Sequence, residues 1–304
     1  MNIRFSILAA TFACAPFLAN AEDTPAAAGS AAPAAAPAVA PAPAAAPAPD
    51  YTLSANVSIV SQYIYRGLTQ SSRNPAIQGG FDFSHKSGFY LGTWGSSISW
   101  ISDNYGKGGF TVDGTAPSAG MEWDLYGGYK DSIGDIGYDV GVLQYYYPGN
   151  YPTLVAGVVK PNTTEVYGAL SYKWLTGKAS YVVSNGLFGV DDARGSYYLD
   201  LSANYPIADT WTINAHVGYQ KYTGTACTGC VSNNDLFTYT DWKLGVTKDM
   251  GNGWSLMAYY TDTNANDSAQ GVDAYKDSFA GNGLFNKGHN VGDGQLVVGV
   301  SRSF

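Results

Sequence analysis

The chain has 304 residues, with 16 Lys and Arg against 24 Asp and Glu and a net charge of −8 at neutral pH. That balance excludes nucleic acid as a partner, because phosphates need a basic surface. Only 13% of residues are charged while Gly (37), Tyr (24) and Trp (7) stand out, which suits strands alternating between lipid and a polar lumen better than the charged outer faces of a secreted β-sandwich.

The chain opens with Arg4, an apolar run from Phe5 to Leu18 and a small-x-small site at Ala19-Asn20-Ala21. Residues 1–21 therefore read as a secretory signal peptide cut before Glu22. Cys14 falls inside that leader, and the preceding Thr11-Phe12-Ala13 is not an acylation box. From residue 22 to residue 50 the chain is nearly all Ala and Pro, and proline makes it an extended spacer rather than a helix. At about 3.1 Å per residue the roughly 26 residues from Thr24 reach about 80 Å, as an inert tether or a spacer toward the cell wall. No later segment is a run of about 18 apolar residues, so a transmembrane helix is excluded.

From residue 51 to residue 304 period-two alternation marks twelve strands. The first, Tyr51 to Arg66, puts Leu53, Ala55, Val57, Ile59, Tyr63 and Tyr65 on one face and Ser54, Asn56, Ser58, Gln62 and Arg66 on the other. The second, Pro75 to Ser84, opposes Ile77, Phe81 and Phe83 to Gln78 and Asp82. The third, Gly88 to Ile98, is ambiguous in phase, since Trp94 and Ile98 oppose Phe89 and Leu91. The fourth sets Met121, Trp123, Leu125 and Tyr129 against Glu122, Asp124 and Lys130, and the fifth sets Ile136, Val140 and Val142 against Asp139. In the sixth, Val166, Leu170 and Trp174 oppose Glu165, Ser171 and Lys173; the seventh is short, Lys178 to Ser184. The eighth and ninth point Asp200 and His216 inward, the tenth Asp241 and Lys243. The eleventh turns Trp254, Leu256 and Tyr260 outward, and the last, ending on Phe304, does so with Leu296, Val298, Val300 and Arg302.

The connections alternate between tight and long. Tight ones are expected at His85 to Ser87, Asp131 to Gly134, Leu175-Thr176, Ile207 to Asp209 and Met250 to Asn252. Long ones are expected at Trp100 to Ala119, Pro148 to Lys160, Thr223 to Phe237 and Asn264 to Val291. Twelve strands with this alternation specify a transmembrane antiparallel β-barrel in a bacterial outer membrane, with both termini periplasmic and lipid and lipopolysaccharide around it. Trp174, Trp211, Trp254 and Phe304 would form the girdle at the short-turn end, and Tyr63, Tyr65, Tyr219 and Tyr260 the one at the long-loop end. Twelve strands tilted about 40° close into a cylinder of roughly 12 Å radius, far narrower inside than a general diffusion porin.

The stretch from Leu53 to Gln70, continued by Asn74 to Ser84 and Gly88 to Ser96, resembles the TorF family of proteobacterial porin-like proteins. The likeness weakens toward Phe304, where this chain has Arg302 in a place often aromatic, and it does not include the Ala/Pro segment. It implies an outer-membrane barrel and a channel, and it names no substrate.

The inward faces carry both signs: Arg66, Asp82, Glu122, Asp124, Lys130, Asp139, Glu165, Lys173, Lys178, Asp200, His216, Asp241 and Lys243. They point to a narrow channel for passive passage of small solutes or ions, narrower still if the loop of residues 264–291 folds inward. Arg66, near the outer mouth, either attracts an anionic solute or pairs with a lumen carboxylate such as Asp82, the latter being expected. Glu122 and Asp124 either hold a cation or stand solvated by pore water, again the latter. A barrel enzyme would need a nucleophile or acid placed beside a histidine. His85 falls in a turn, His289 in the longest loop, and His216 mid-strand between Asn214 and Gly218, so no catalytic site, cofactor or metal is expected. Cys227-Thr-Gly-Cys230 lacks the βαβ context of a redox motif and reads as a loop disulfide. Surface adhesion or phage reception through the long loops is the competing role.

Overall fold

The computed structural model describes residues 49–107, 111–113, 115, 117–226, 229–265, 274–275 and 290–304. The expected leader, nearly all of the Ala/Pro segment and most of the 264–291 loop lie outside the described residues. The strands are Tyr51–Val60 (β1), Ile64–Tyr65 (β2), Leu68–Thr69 (β3), Ala76–His85 (β4), Phe89–Ser97 (β5), Met121–Ile133 (β6) and Ile136–Tyr146 (β7). They continue with Thr163–Tyr172 (β8), Leu175–Val182 (β9), Tyr197–Ala208 (β10), Trp211–Lys221 (β11), Tyr239–Gly251 (β12), Trp254–Thr263 (β13) and Gln295–Ser303 (β14). Among the described residues two short helices, Trp100–Lys107 (α1) and Asn233–Phe237 (α2), lie in the loops.

Twelve strands form one closed antiparallel barrel in sequential order, and β14 returns to pair with β1, Val57 opposite Arg302 and Val60 opposite Gly299. Closure leaves no edge, so every strand's backbone groups are paired, as a bilayer demands. Following the pairing once around displaces β1 by about 16 residues against itself, which for twelve strands gives a tilt of about 42° and a radius of about 13 Å. Such a cylinder is wider than the eight-stranded barrel that side chains just fill and narrower than the 16- to 18-stranded porins.

The alternation resolves as apolar outside, polar inside. Leu53 is 67% exposed and Phe81 69%, and every barrel strand turns a large apolar side chain outward. A continuous apolar belt of this extent has no counterpart on a water-soluble surface. Trp174, Trp211, Trp254 and Phe304 ring the end that carries the chain terminus and the tight turns. Arg302 lies among them, its guanidinium over the rings of Trp254 (5.1 Å) and Phe304 (4.8 Å). The opposite girdle is built by Trp123, Tyr146, Tyr181, Trp242 and Tyr260.

Two expectations about that end are corrected. The first strand does not run to Arg66. It stops at Val60, and Tyr63 and Tyr65, expected on the lipid face, turn into the lumen, where Tyr63 is buried. The phase of the third strand also resolves: Phe89 and Leu91 face out, while Trp94 and Ile98 are buried inside. A further correction concerns the turn after β8, which is Lys173-Trp174 rather than Leu175-Thr176. Lys173 adopts φ 54° there and is exposed, so it stands off the inner wall.

Candidate functional site

The site begins where β1 leaves the barrel wall. Ile64 pairs with Thr69 and Tyr65 with Leu68, so Arg66 and Gly67 form a two-residue hairpin turn. Both have positive φ, 47° and 78°, as the primed turn favoured in tight hairpins requires. The hairpin crosses the lumen to the far wall. A Cβ on Gly67 would stand 2.4 Å from Thr263 Cγ2 and 2.7 Å from Asp241 Cβ, so only glycine permits this approach.

Arg66 at the tip ties the hairpin down. One guanidinium nitrogen donates to Glu165 Oε2 at 2.8 Å and the other to Gln220 Oε1 at 2.7 Å. Its plane lies over the ring of Tyr198 at 4.2 Å and that of Tyr65 at 4.9 Å, and its backbone carbonyl accepts from the Tyr239 hydroxyl at 2.9 Å. The two ion-pair side chains are 6% and 1% exposed. Arg66 thus takes the structural role, but its partner is Glu165, on the far wall; Asp82 instead accepts from Tyr126 at 2.6 Å.

Hydroxyls complete the latch. Tyr63 donates to Glu122 Oε1 at 2.8 Å and packs edge-on against Trp94 at 5.5 Å; the Tyr65 and Tyr145 hydroxyls meet at 2.5 Å. Tyr147, just past β7, is also hydrogen-bonded to Glu122; burial, with the charge of Glu122 second, holds its hydroxyl well above the usual tyrosine range, so it stays a donor.

The remaining charges divide by wall. On β6 to β8, Glu122, Asp124, Asp139 and Glu165 are buried, and Glu122 and Glu165 meet the hairpin through Tyr63 and Arg66. Asp124 is 1% exposed, and neither of its oxygens has a hydrogen-bond partner among the described residues. A row of directly paired positions, Lys130 to Asp139, then Ala169 to Lys178 and Asp200, and on to Gly218 and Asp241, runs across seven strands. His216 sits between two acids, Nδ1 against Asp200 and Nε2 against Asp241 at 2.6 Å. Both ring nitrogens meet a carboxylate, so the imidazole is held from two sides. Ser202 sends its hydroxyl to Asp200 rather than to His216, so the cluster lacks the nucleophile-to-base contact of a hydrolase. Spacing alone did not reveal this cluster, because the acids arrive diagonally from β10 and β12. Cys230 is disulfide-bonded, while Cys227 lies outside the described residues.

Beside the hairpin a cavity of about 200 Å3 remains, bounded by Tyr63 to Gly67 and by inward residues of β1, β4, β5 and β9 to β14. Lys178, Asp200, His216 and Lys243 line it; Glu122, Asp124 and Glu165 do not.

Residues 44–304 match the model of a bacterial protein family of unknown function (Gcw_chp), and the chain belongs to that family. The sequence matches no curated protein. Similar solved structures are outer-membrane proteins. The KdgM porin is 11% identical, with 83% of this chain and 99% of that one covered and a TM-score of 0.46. The NanC porin is 10% identical at the same coverages, TM-score 0.45. The toluene transporter TodX of Pseudomonas putida is 11% identical, covering 84% and 90%, TM-score 0.41. At these scores the likeness carries nothing about cargo.

Proposed function

We propose that this member of the family is an outer-membrane channel for passive passage of small solutes, narrowed from within by the β2–β3 hairpin. The observation that carries this reading is the pairing of an apolar outer belt with a polar lumen that keeps a cavity of about 200 Å3 beside the hairpin. A structural scaffold would gain nothing from leaving such a cavity, since a filled interior packs better. In this reading both termini face the periplasm, residues 1–21 are removed on export, and residues 22–50 space the barrel from the cell wall. Lys130, Asp139, Lys178, Asp200, His216, Asp241 and Lys243 are its lumen charges. The stretch from Leu53 to Gln70 that resembles the TorF family builds β1 and the hairpin, so membership there would make the inserted hairpin a shared trait. Single-channel recording of the purified full chain in planar bilayers tests the proposal. Small, discrete conductance steps are expected, below those of a 16-stranded porin under the same salt. A correctly folded barrel with no steps refutes it.

A further inference from the structure

The geometry points to the lumen cavity as a binding site for a small hydroxylated carboxylate, with Lys178 taking its charge. This rests on the channel reading and adds the class of solute. Although the described lumen holds more acids than bases, the described lining of the cavity carries four basic groups against one carboxylate. Asp200 is the one carboxylate among the cavity's described lining residues, and both its oxygens are engaged, Oδ2 by His216 and Oδ1 by Ser202 at 2.5 Å. Four basic groups face the same space: Arg66, Lys178, His216 and Lys243. Arg66 is spent on Glu165 and Gln220, and His216 on its two aspartates.

Lys178 is different. It is 8% exposed, its ammonium lies 4.0 Å from the centre of the Tyr167 ring, and it forms no ion pair with a carboxylate among the described residues. A buried ammonium without a partner in contact is costly. A ring face satisfies one side of it and leaves its donors to a ligand. A carboxylate entering the cavity would supply the missing acceptor. Around it, Ser58 bonded to Gln78 on one wall and Thr247 bonded to Asn214 on the other keep a second amide hydrogen and hydroxyl lone pairs for the rest of the solute. That spare capacity is what would set a hydroxylated anion above chloride, because hydroxyls can share hydrogen bonds that chloride cannot donate.

Gluconate is a suitable test solute. In bilayers under a KCl gradient the wild-type full chain should give a reversal potential of anionic sign, and millimolar gluconate should reduce the chloride current. Lys178→Gln should move the reversal potential toward the cationic side and weaken the gluconate effect at least tenfold, while Lys178→Arg keeps both. Heat-modified gel mobility checks that each variant forms the barrel; if Lys178→Gln does not, Lys178→Met serves instead. A cation-selective wild type, or a folded Lys178→Gln indistinguishable from it, overturns the assignment while leaving the channel standing. If no conductance is seen at all, the channel reading fails instead. Calorimetric titration of gluconate into the detergent-solubilised barrel then decides the site alone, binding that Lys178→Gln abolishes supporting it and no binding overturning it.

Discussion

Removing the Arg66 guanidinium should open the pore. In Arg66→Gln the ion pair to Glu165 at 2.8 Å and the bond to Gln220 at 2.7 Å are both lost. Glu165 is 1% exposed, and its second oxygen already lacks a partner among the described residues. Breaking one side of a buried pair costs about 3–5 kcal/mol, most of it the stranded charge. The hairpin can escape that cost by leaving the far wall, which lets lumen water reach Glu165. Three to five kcal/mol corresponds to a shift of about a hundredfold to a few thousandfold in the ratio of inserted to released hairpin. The remaining anchors, Tyr63 on Glu122 and Gly67 against β12 and β13, set where that ratio starts. Single-channel recording should show a larger or longer-lived open level in Arg66→Gln than in wild type. Adding Glu165→Gln removes the stranded charge and should bring the pore back toward its resting level. A folded Arg66→Gln with unchanged conductance and dwell times would show that the hairpin does not set the constriction.

Two further perturbations separate the hairpin from the wall. Gly67→Ala should mimic Arg66→Gln with the ion pair intact, because the new methyl meets Thr263 and Asp241 below 3.0 Å at φ 78° and lifts the tip; unchanged conductance steps would contradict the packing. Leu201→Arg, at an exposed outward position mid-strand, should cost about 2–4 kcal/mol of folding stability in lipid vesicles by urea titration, whereas Arg302→Leu at the strand end should change it by about 1 kcal/mol or less. Equal effects at the two positions would argue against a lipid-facing belt.

The wall was legible because a barrel in lipid imposes one rule on every strand. Leu53, Ile59, Phe81, Leu125, Val140, Leu199 and Leu256 all fall where period two puts them, and the alternating loop lengths distinguish a tight-turn end from a long-loop end. Side chains reaching diagonally across strands were not legible. His216 finds Asp200 and Asp241, one strand away on either side, because the register places Ser202 and Lys243 directly opposite and the acids two residues off. No local spacing encodes that offset. Lys173 was misplaced by a shift of two residues in a turn, and in a tight hairpin such a shift decides whether a side chain lies in the wall or outside it.

The hairpin was hidden by a coincidence of phase. Tyr63 and Tyr65 continue the odd-numbered apolar row of Leu53, Val57 and Ile59, so the alternation reads through a strand that ends at Val60. Two marks were nevertheless present. Gly67, between the apolar Tyr65 and Leu68, is the residue that the second position of a tight primed turn favours. The conflicting phase of the third strand was the other. Trp94 belongs inside because Tyr63 arrives to pack on it, and an inward tryptophan in a water-filled lumen would have no such partner. An apolar side chain on the wet face of a barrel strand is therefore a sign that another part of the chain lies within the lumen. The cost of burying the hairpin's polar tip is offset by Glu165 and Gln220, which face the lumen from β8 and β11. Read together, inward aromatic and inward acid locate an internal plug that neither locates alone.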